Sequence, residues 1–151
     1  SRLIHARSKV QEACKACHGD VAMNDIRGMT STGDYNGNGD TSEGLRAEYR
    51  ALRDVLYAEI QKYAKATTGN AIVYNPDAYP YWFADANGNG EADADEKAFT
   101  TWTPRLLKAA YNYNFLRKQP DVHIHNGKYG IQVTIDTIED IGGDVSKYAR
   151  P

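Results

Sequence analysis

The sequence predicts a small, mainly α-helical domain broken by long irregular loops. Three observations carry that expectation. Leu45, Tyr49, Leu52, Leu56, Ile60 and Tyr63 recur every three or four residues, the period of one buried helix face. Thr103-Pro104 reads as a helix start, a capping hydroxyl followed by proline at the first helical position. Two stretches rich in Asp, Asn and Gly, 34–45 and 85–96, have no apolar period and read as loops. The chain has 151 residues, 41% of them hydrophobic, enough to close one core.

In chain order, residues 2–18 read as a short helix ended by Gly19, and residues 20–41 as irregular. Ser42 is expected to cap the long helix, which Gly69-Asn70 closes. Residues 71–84 are expected to be extended, without a persuasive sheet. They hold Pro76, Pro80 and the aromatic cluster Tyr79, Tyr81, Trp82 and Phe83, either one wall of a ligand pocket or a loop packed on the core. The helix opened by Thr103-Pro104 runs to about Lys118 and stops at Pro120. A last helix spans roughly 127–141 with Ile131, Ile135 and Ile138 on one side, its β-branched content weakening the case for helix against strand. Residues 1–142 thus read as one domain and 143–151 as a C-terminal tail.

Charge and composition exclude some functions. Eighteen basic and 20 acidic side chains give a net charge of −2, which removes the electrostatic case for nucleic-acid binding. No apolar run is long enough to span a membrane. The chain opens Ser1-Arg2-Leu3-Ile4-His5, without Met or an apolar segment, and is read as a form whose targeting segment has been removed.

Cys14-Lys15-Ala16-Cys17-His18 is the decisive motif. Two thiols one helical turn apart can both add to the vinyl groups of one porphyrin, and the next residue, His18, then stands beneath the iron as an axial ligand. The rivals are weaker. Zinc needs a second pair of Cys or His ligands, which is missing; a thioredoxin-like pair needs a preceding strand; a disulfide across so short a loop stabilises little. Covalent haem c also implies a compartment outside the cytoplasmic membrane: periplasm, cell surface or secretion. For the opposite face of the iron, His5, His123, His125, Met23 and Met29 remain. The two Met follow His18 so closely that reaching that face requires a tight reversal. Asn126 is a candidate helix N-cap that would hold His125 at a defined helix entrance.

The stretch Trp102-Thr103-Pro104-Arg105-Leu106-Leu107-Lys108-Ala109-Ala110-Tyr111-Asn112-Tyr113, followed by His125-Asn126-Gly127-Lys128-Tyr129, resembles the terminal region of multihaem c-type cytochromes. In that family a His-Asn-x-x-Tyr segment opens a helix and its His is the distal haem ligand. The resemblance therefore implies that His125 completes a bis-histidine iron with His18. It runs more loosely from Cys14 to about Gly142, and it departs from the family in one respect, a single C-x-x-C-H where the family has several. That leaves a reduced single-haem relative or a piece of a longer cytochrome, with His5 then a ligand for a haem on a neighbouring chain.

The loop 85–96 follows the EF-hand spacing. Asp85, Asn87, Asn89 and Asp93 supply oxygens at positions 1, 3, 5 and 9, Glu91 offers position 7, Gly90 makes the turn at position 6, and Glu96 closes at position 12. Five carboxylates in such a stretch repel unless a cation neutralises them. The loop 34–45 repeats the pattern with Asp34, Asn36, Asn38 and Asp40 but ends on Leu45, which cannot ligate, so Glu43 or Glu48 must stand in. Calcium is the expected ion at both, as a structural staple rather than a sensor, since no Met-rich face awaits a target.

The expected function is electron transfer through one covalent, bis-histidine haem in a calcium-stabilised extracytoplasmic domain, and not catalysis, because two His ligands leave no open coordination position. One haem carries one electron and needs a neighbour: a redox partner protein, another haem subunit, or a second copy in an oligomer or filament. The alternatives are a calcium-binding scaffold with a structural haem, and a peroxidase-like enzyme should the sixth position be open.

Overall fold

The computed structural model describes residues 12–22, 25–28, 31–119 and 121–151. The expected helix over 2–18 therefore lies partly outside the described residues, as do the candidate ligands His5, Met23 and Met29. Residues 12–18 are helical (α1). Gly19 ends that turn at φ +71°, a left-handed conformation that glycine adopts without strain, and its N–H bonds the Lys15 carbonyl at 3.0 Å.

The described residues are mainly helical. The frame is three helices: α2 (Leu45–Thr68), α3 (Pro104–Lys118) and α5 (Gly127–Asp140), with the single turn α4 (Val122–His125) leading into α5. They form because each has an apolar stripe to bury. Leu52, Leu56 and Ile60 of α2, Leu106 and Leu116 of α3, and Ile131, Ile135 and Ile138 of α5 are fully buried in one cluster. Each such side chain contributes about 1.5–3 kcal/mol, which outweighs the weak helix propensity of the β-branched residues in α5. Thr134 and Thr137 are buried there because their hydroxyls donate back to the carbonyls of Gly130 and Val133, both at 2.6 Å.

Helix ends were partly as expected. Thr103 caps α3, its hydroxyl oxygen accepting the Leu106 N–H at 3.2 Å, and Gly69 closes α2 at φ +75°. Ser42 does not cap α2. Its N–H and hydroxyl both bond Asp40 Oδ1, and Gly44 holds the cap position with no side-chain bond. Asn126 holds the N-cap position of α5 but likewise makes no side-chain capping bond.

The stretch expected to be merely extended pairs with itself. Strands β1 (Ile72–Tyr74) and β2 (Trp82–Ala84) form an antiparallel hairpin in the register Ile72↔Ala84, Val73↔Phe83 and Tyr74↔Trp82. The Tyr79–Pro80 bond in its loop is cis, and Tyr81 follows at φ +74°. Trp82 buries itself among Tyr57, Tyr74 and Tyr113 at ring distances of 6.2, 5.0 and 5.6 Å, so this aromatic group packs on α2 and α3. Residues beyond Gly142 fold back. Tyr148 is buried, the Ala149 N–H bonds the Asp34 carbonyl at 2.9 Å, and Arg150 pairs with Asp136 and Glu139 of α5.

Candidate functional site

Cys14 and Cys17 sit one helical turn apart on α1, so their side chains leave one face. Both are free thiols, Cys14 half-buried and Cys17 exposed, and His18 is half-buried at the end of the turn.

His123 and His125 lie two residues apart on α4, about 200° around a helix, and so point to opposite sides. His123 is buried. His125 is exposed and lines a groove of about 470 Å³ with Phe115, Val122 and Tyr129, its polar rim formed by Gln119, Asp121 and Asn126. Phe115 and Tyr129 are 39% and 51% exposed. Tyr111 and Leu107, one and two turns before Phe115 on α3, are also exposed.

The first turn of α2 connects this groove to residues 25–28. The Leu45 N–H bonds the Ile26 carbonyl at 3.4 Å, which anchors the segment that follows His18. The Leu45 side chain in turn packs against the bare backbone of Gly127, two residues beyond His125. Ile26, eight residues after His18, is thus held at the end of the molecule that carries His125. Among the described residues no hydrogen bond or ion pair joins α1 itself to α4 or α5.

The two acidic loops share one backbone. In 85–96, Asp85 accepts from the N–H groups of Gly88, Asn89 and Gly90 at 2.7, 3.1 and 3.0 Å; in 34–45, Asp34 does the same for Gly37, Asn38 and Gly39 at 2.7, 3.2 and 2.7 Å. The paired glycines are left-handed in both, with φ +72° and +87° in the first loop and +74° and +78° in the second. Asn87 and Asn89 both donate their amide to Asp93 Oδ2, at 2.8 and 2.9 Å. Glu43 takes that role in the first loop, receiving the amides of Asn36 and Asn38. Glu96 closes the second loop by accepting from the Ala86 and Asp93 N–H groups at 2.9 and 3.1 Å. In the first loop Glu48 does the closing, accepting the Asn36 N–H at 2.8 Å. Asp40 and Glu91 are exposed at the loop edges. In both loops carboxamide N–H groups thus face a carboxylate, while the carboxamide oxygens accept backbone N–H groups; no group of three or more His, Cys, Asp or Glu converges among the described residues.

Glu48, which the sequence already offers as a stand-in for Leu45, carries a further signal, a carboxylate inside the apolar stripe between Leu45 and Leu52, where burial demands a partner. The residue that sequence reasoning missed is that partner, Arg27, which no pattern announces.

No protein-family model matches the chain, and no solved structure matches it. Among curated proteins it is 32% identical over 113 residues to the C-type polyheme cytochrome OmcC of Geobacter sulfurreducens. It is 30% identical over 113 residues to OmcB, a C-type polyheme cytochrome of the same organism. Each match covers 67% of this chain and only 14% of the relative, so the chain spans a small part of their length.

Proposed function

From this relationship to C-type polyheme cytochromes over two thirds of the chain, we propose an electron-transfer module that carries one covalent haem c. Cys14 and Cys17 would form the two thioether links, and His18 and His125 would hold the iron. The observation that carries this reading is the position of His125, the exposed histidine of α4, in an apolar groove beside the anchor of the segment that follows His18.

The residues present suit such a group. The thiols are free and accessible, and the groove offers aromatic and aliphatic walls with an imidazole among them. When bound, the haem supplies a one-electron iron couple. Phe115, Val122 and Tyr129 would pack against such a group on the His125 side and lower the dielectric around it, which would favour the less charged oxidation state. With His18 and His125 both holding the iron, no position would be left open for a substrate, which is the case against catalysis.

In this reading the loops hold calcium as staples: Asp85, Asn87, Asn89, Glu91, Asp93 and Glu96 in one, Asp34, Asn36, Asn38, Asp40 and Glu43 in the other. Their acid oxygens and left-handed glycines support it. The module works outside the cytoplasmic membrane, where haem c is attached, and passes its electron to a neighbouring haem subunit, a redox protein or a second copy. Among the described residues no helix is long and apolar enough to cross a membrane.

The test is spectroscopic. The purified holoprotein is expected to show one low-spin haem per chain by its pyridine adduct, with no methionine-to-iron charge-transfer band and little carbon monoxide binding. His125→Ala is expected to give an iron that binds carbon monoxide readily. Ready binding by the unaltered chain would overturn the bis-histidine assignment.

A further inference from the structure

Arg27 lies nine residues after His18, in a stretch with no helix or strand of its own. Its guanidinium is nonetheless one of the most heavily bonded groups among the described residues. Nη1 donates to Glu48 Oε1 at 2.6 Å and to the Glu43 carbonyl at 2.8 Å, while Nε and Nη2 donate to the carbonyls of Ser31 and Gly33. Its face lies 5.4 Å from the centre of the Tyr35 ring. The ion pair is buried, with side-chain exposures of 13% for Arg27 and 0% for Glu48.

A buried pair loses much of its attraction to desolvation, and an apolar pair of similar volume is often as stable. Stability alone is therefore a weak reason for this one. What the pair does is geometric. Glu48 belongs to the first turn of α2, the turn whose Leu45 donates its N–H to the Ile26 carbonyl and packs on Gly127; Tyr49, the next residue, lies against Gly130. Arg27 is the residue next to Ile26. A planar fork with five donors fixes orientation as well as position, which an ammonium or an apolar side chain does not.

Building on the His18/His125 reading, we infer that Arg27 is a positioning residue: its clamp on Glu48 docks the segment trailing the C-x-x-C-H motif onto the first turn of α2 and so sets His18 relative to His125. Its bonds among the described residues go to Ser31, Gly33, Glu43 and Glu48, and to neither histidine. It acts through the Ile26–Leu45–Gly127 contact.

The test compares Arg27→Met/Glu48→Met with the unaltered holoprotein. Because the double change leaves no buried charge unpaired, the helical frame is expected to survive, by far-ultraviolet circular dichroism. The fraction of iron binding carbon monoxide is expected to rise about tenfold as the two histidines lose register. The Leu45 amide, bonded to Ile26, is expected to exchange its hydrogen about tenfold faster, a readout that does not depend on which residue is the sixth ligand. A folded double variant with unchanged amide exchange and unchanged ligation overturns the inference. Should the double variant fail to fold, Arg27→Lys decides: it keeps the charge opposite Glu48 but loses the fork, and wild-type behaviour in both readouts overturns the inference. If His125→Ala leaves the spectrum of the otherwise unaltered chain unchanged, the sixth-ligand reading falls by itself, and the Leu45 amide still judges Arg27.

Discussion

Gly130 sits in the interior of α5, where glycine costs about 1 kcal/mol relative to alanine. Its neighbours explain the exception. A Cβ there would meet the two γ-methyls of Val122 at 3.0 and 3.2 Å and the Tyr49 ring at 3.4 Å, all three groups buried. Overpacking of this kind costs about 1–3 kcal/mol, more than the propensity gained. Gly130→Ala is therefore expected to lower stability by about 1 kcal/mol, measured by denaturant titration, although the same change on an exposed helix face would raise it. The site reads in the sequence to the same depth. C-x-x-C-H and His125 are visible as residues, because their chemistry is local. That His123 turns inward while His125 lines a groove depends on α4, a single turn that no apolar period announces.

At the scale of elements, legibility followed the length of the pattern. Six apolar residues in register over α2 and a Thr-Pro start for α3 left little competition, and both helices formed where they were expected. The hairpin was missed because its strands are three residues each, too short to show an alternation, and its partner Ala98 comes from beyond the second loop. The paired loops were legible because side chains two residues apart converge only when glycine takes the left-handed turn between them. Their closing groups differ, and so does their expected response to cation. Glu96 closes 85–96 with no cationic partner among the described residues, whereas Glu48 in the first loop is already neutralised by Arg27. Calcium is therefore expected to bind first at 85–96. Glu96→Gln is expected to weaken that binding at least about tenfold by titration calorimetry, since the bidentate position carries much of the affinity. Asp34→Asn is expected to change the first binding step little; an equal effect from both variants would show that Arg27 does not substitute for a cation.

The molecule is held together where α2, α3 and α5 meet, and two phenols stand at that meeting. Tyr49 donates its hydroxyl to the Leu116 carbonyl at 2.7 Å, joining α2 to the end of α3, and Tyr113 packs from α3 onto Tyr57 at 5.3 Å. Burial pushes both phenols up to about 12, against about 10 for the exposed group, with Arg53 and Arg117 only partly offsetting it. A group that binds its proton more tightly when folded stabilises the fold fully below its unfolded pKa and loses that contribution as pH rises through its folded one. Stability is therefore expected to be flat up to about pH 10 and to fall steeply from there to about pH 12, because the unfolded chain ionises its phenols first. Equilibrium denaturation at a series of alkaline pH values, followed by circular dichroism, measures this. Tyr113→Phe removes one of the two ionisable groups without removing the ring, so its stability is expected to fall less steeply over the same interval. Tyr49→Phe flattens the curve in the same way but starts lower by about 1 kcal/mol, because the Leu116 carbonyl then stays buried without a donor. Tyr49 also lies against Gly130 in α5, three residues beyond Gly127, which packs on Leu45 two residues after His125. On the proposed His18/His125 ligation, the alkaline loss of stability is thus expected to coincide with the loss of a low-spin spectrum; a spectrum that outlasts the helices would mean that the iron's ligands do not depend on this core.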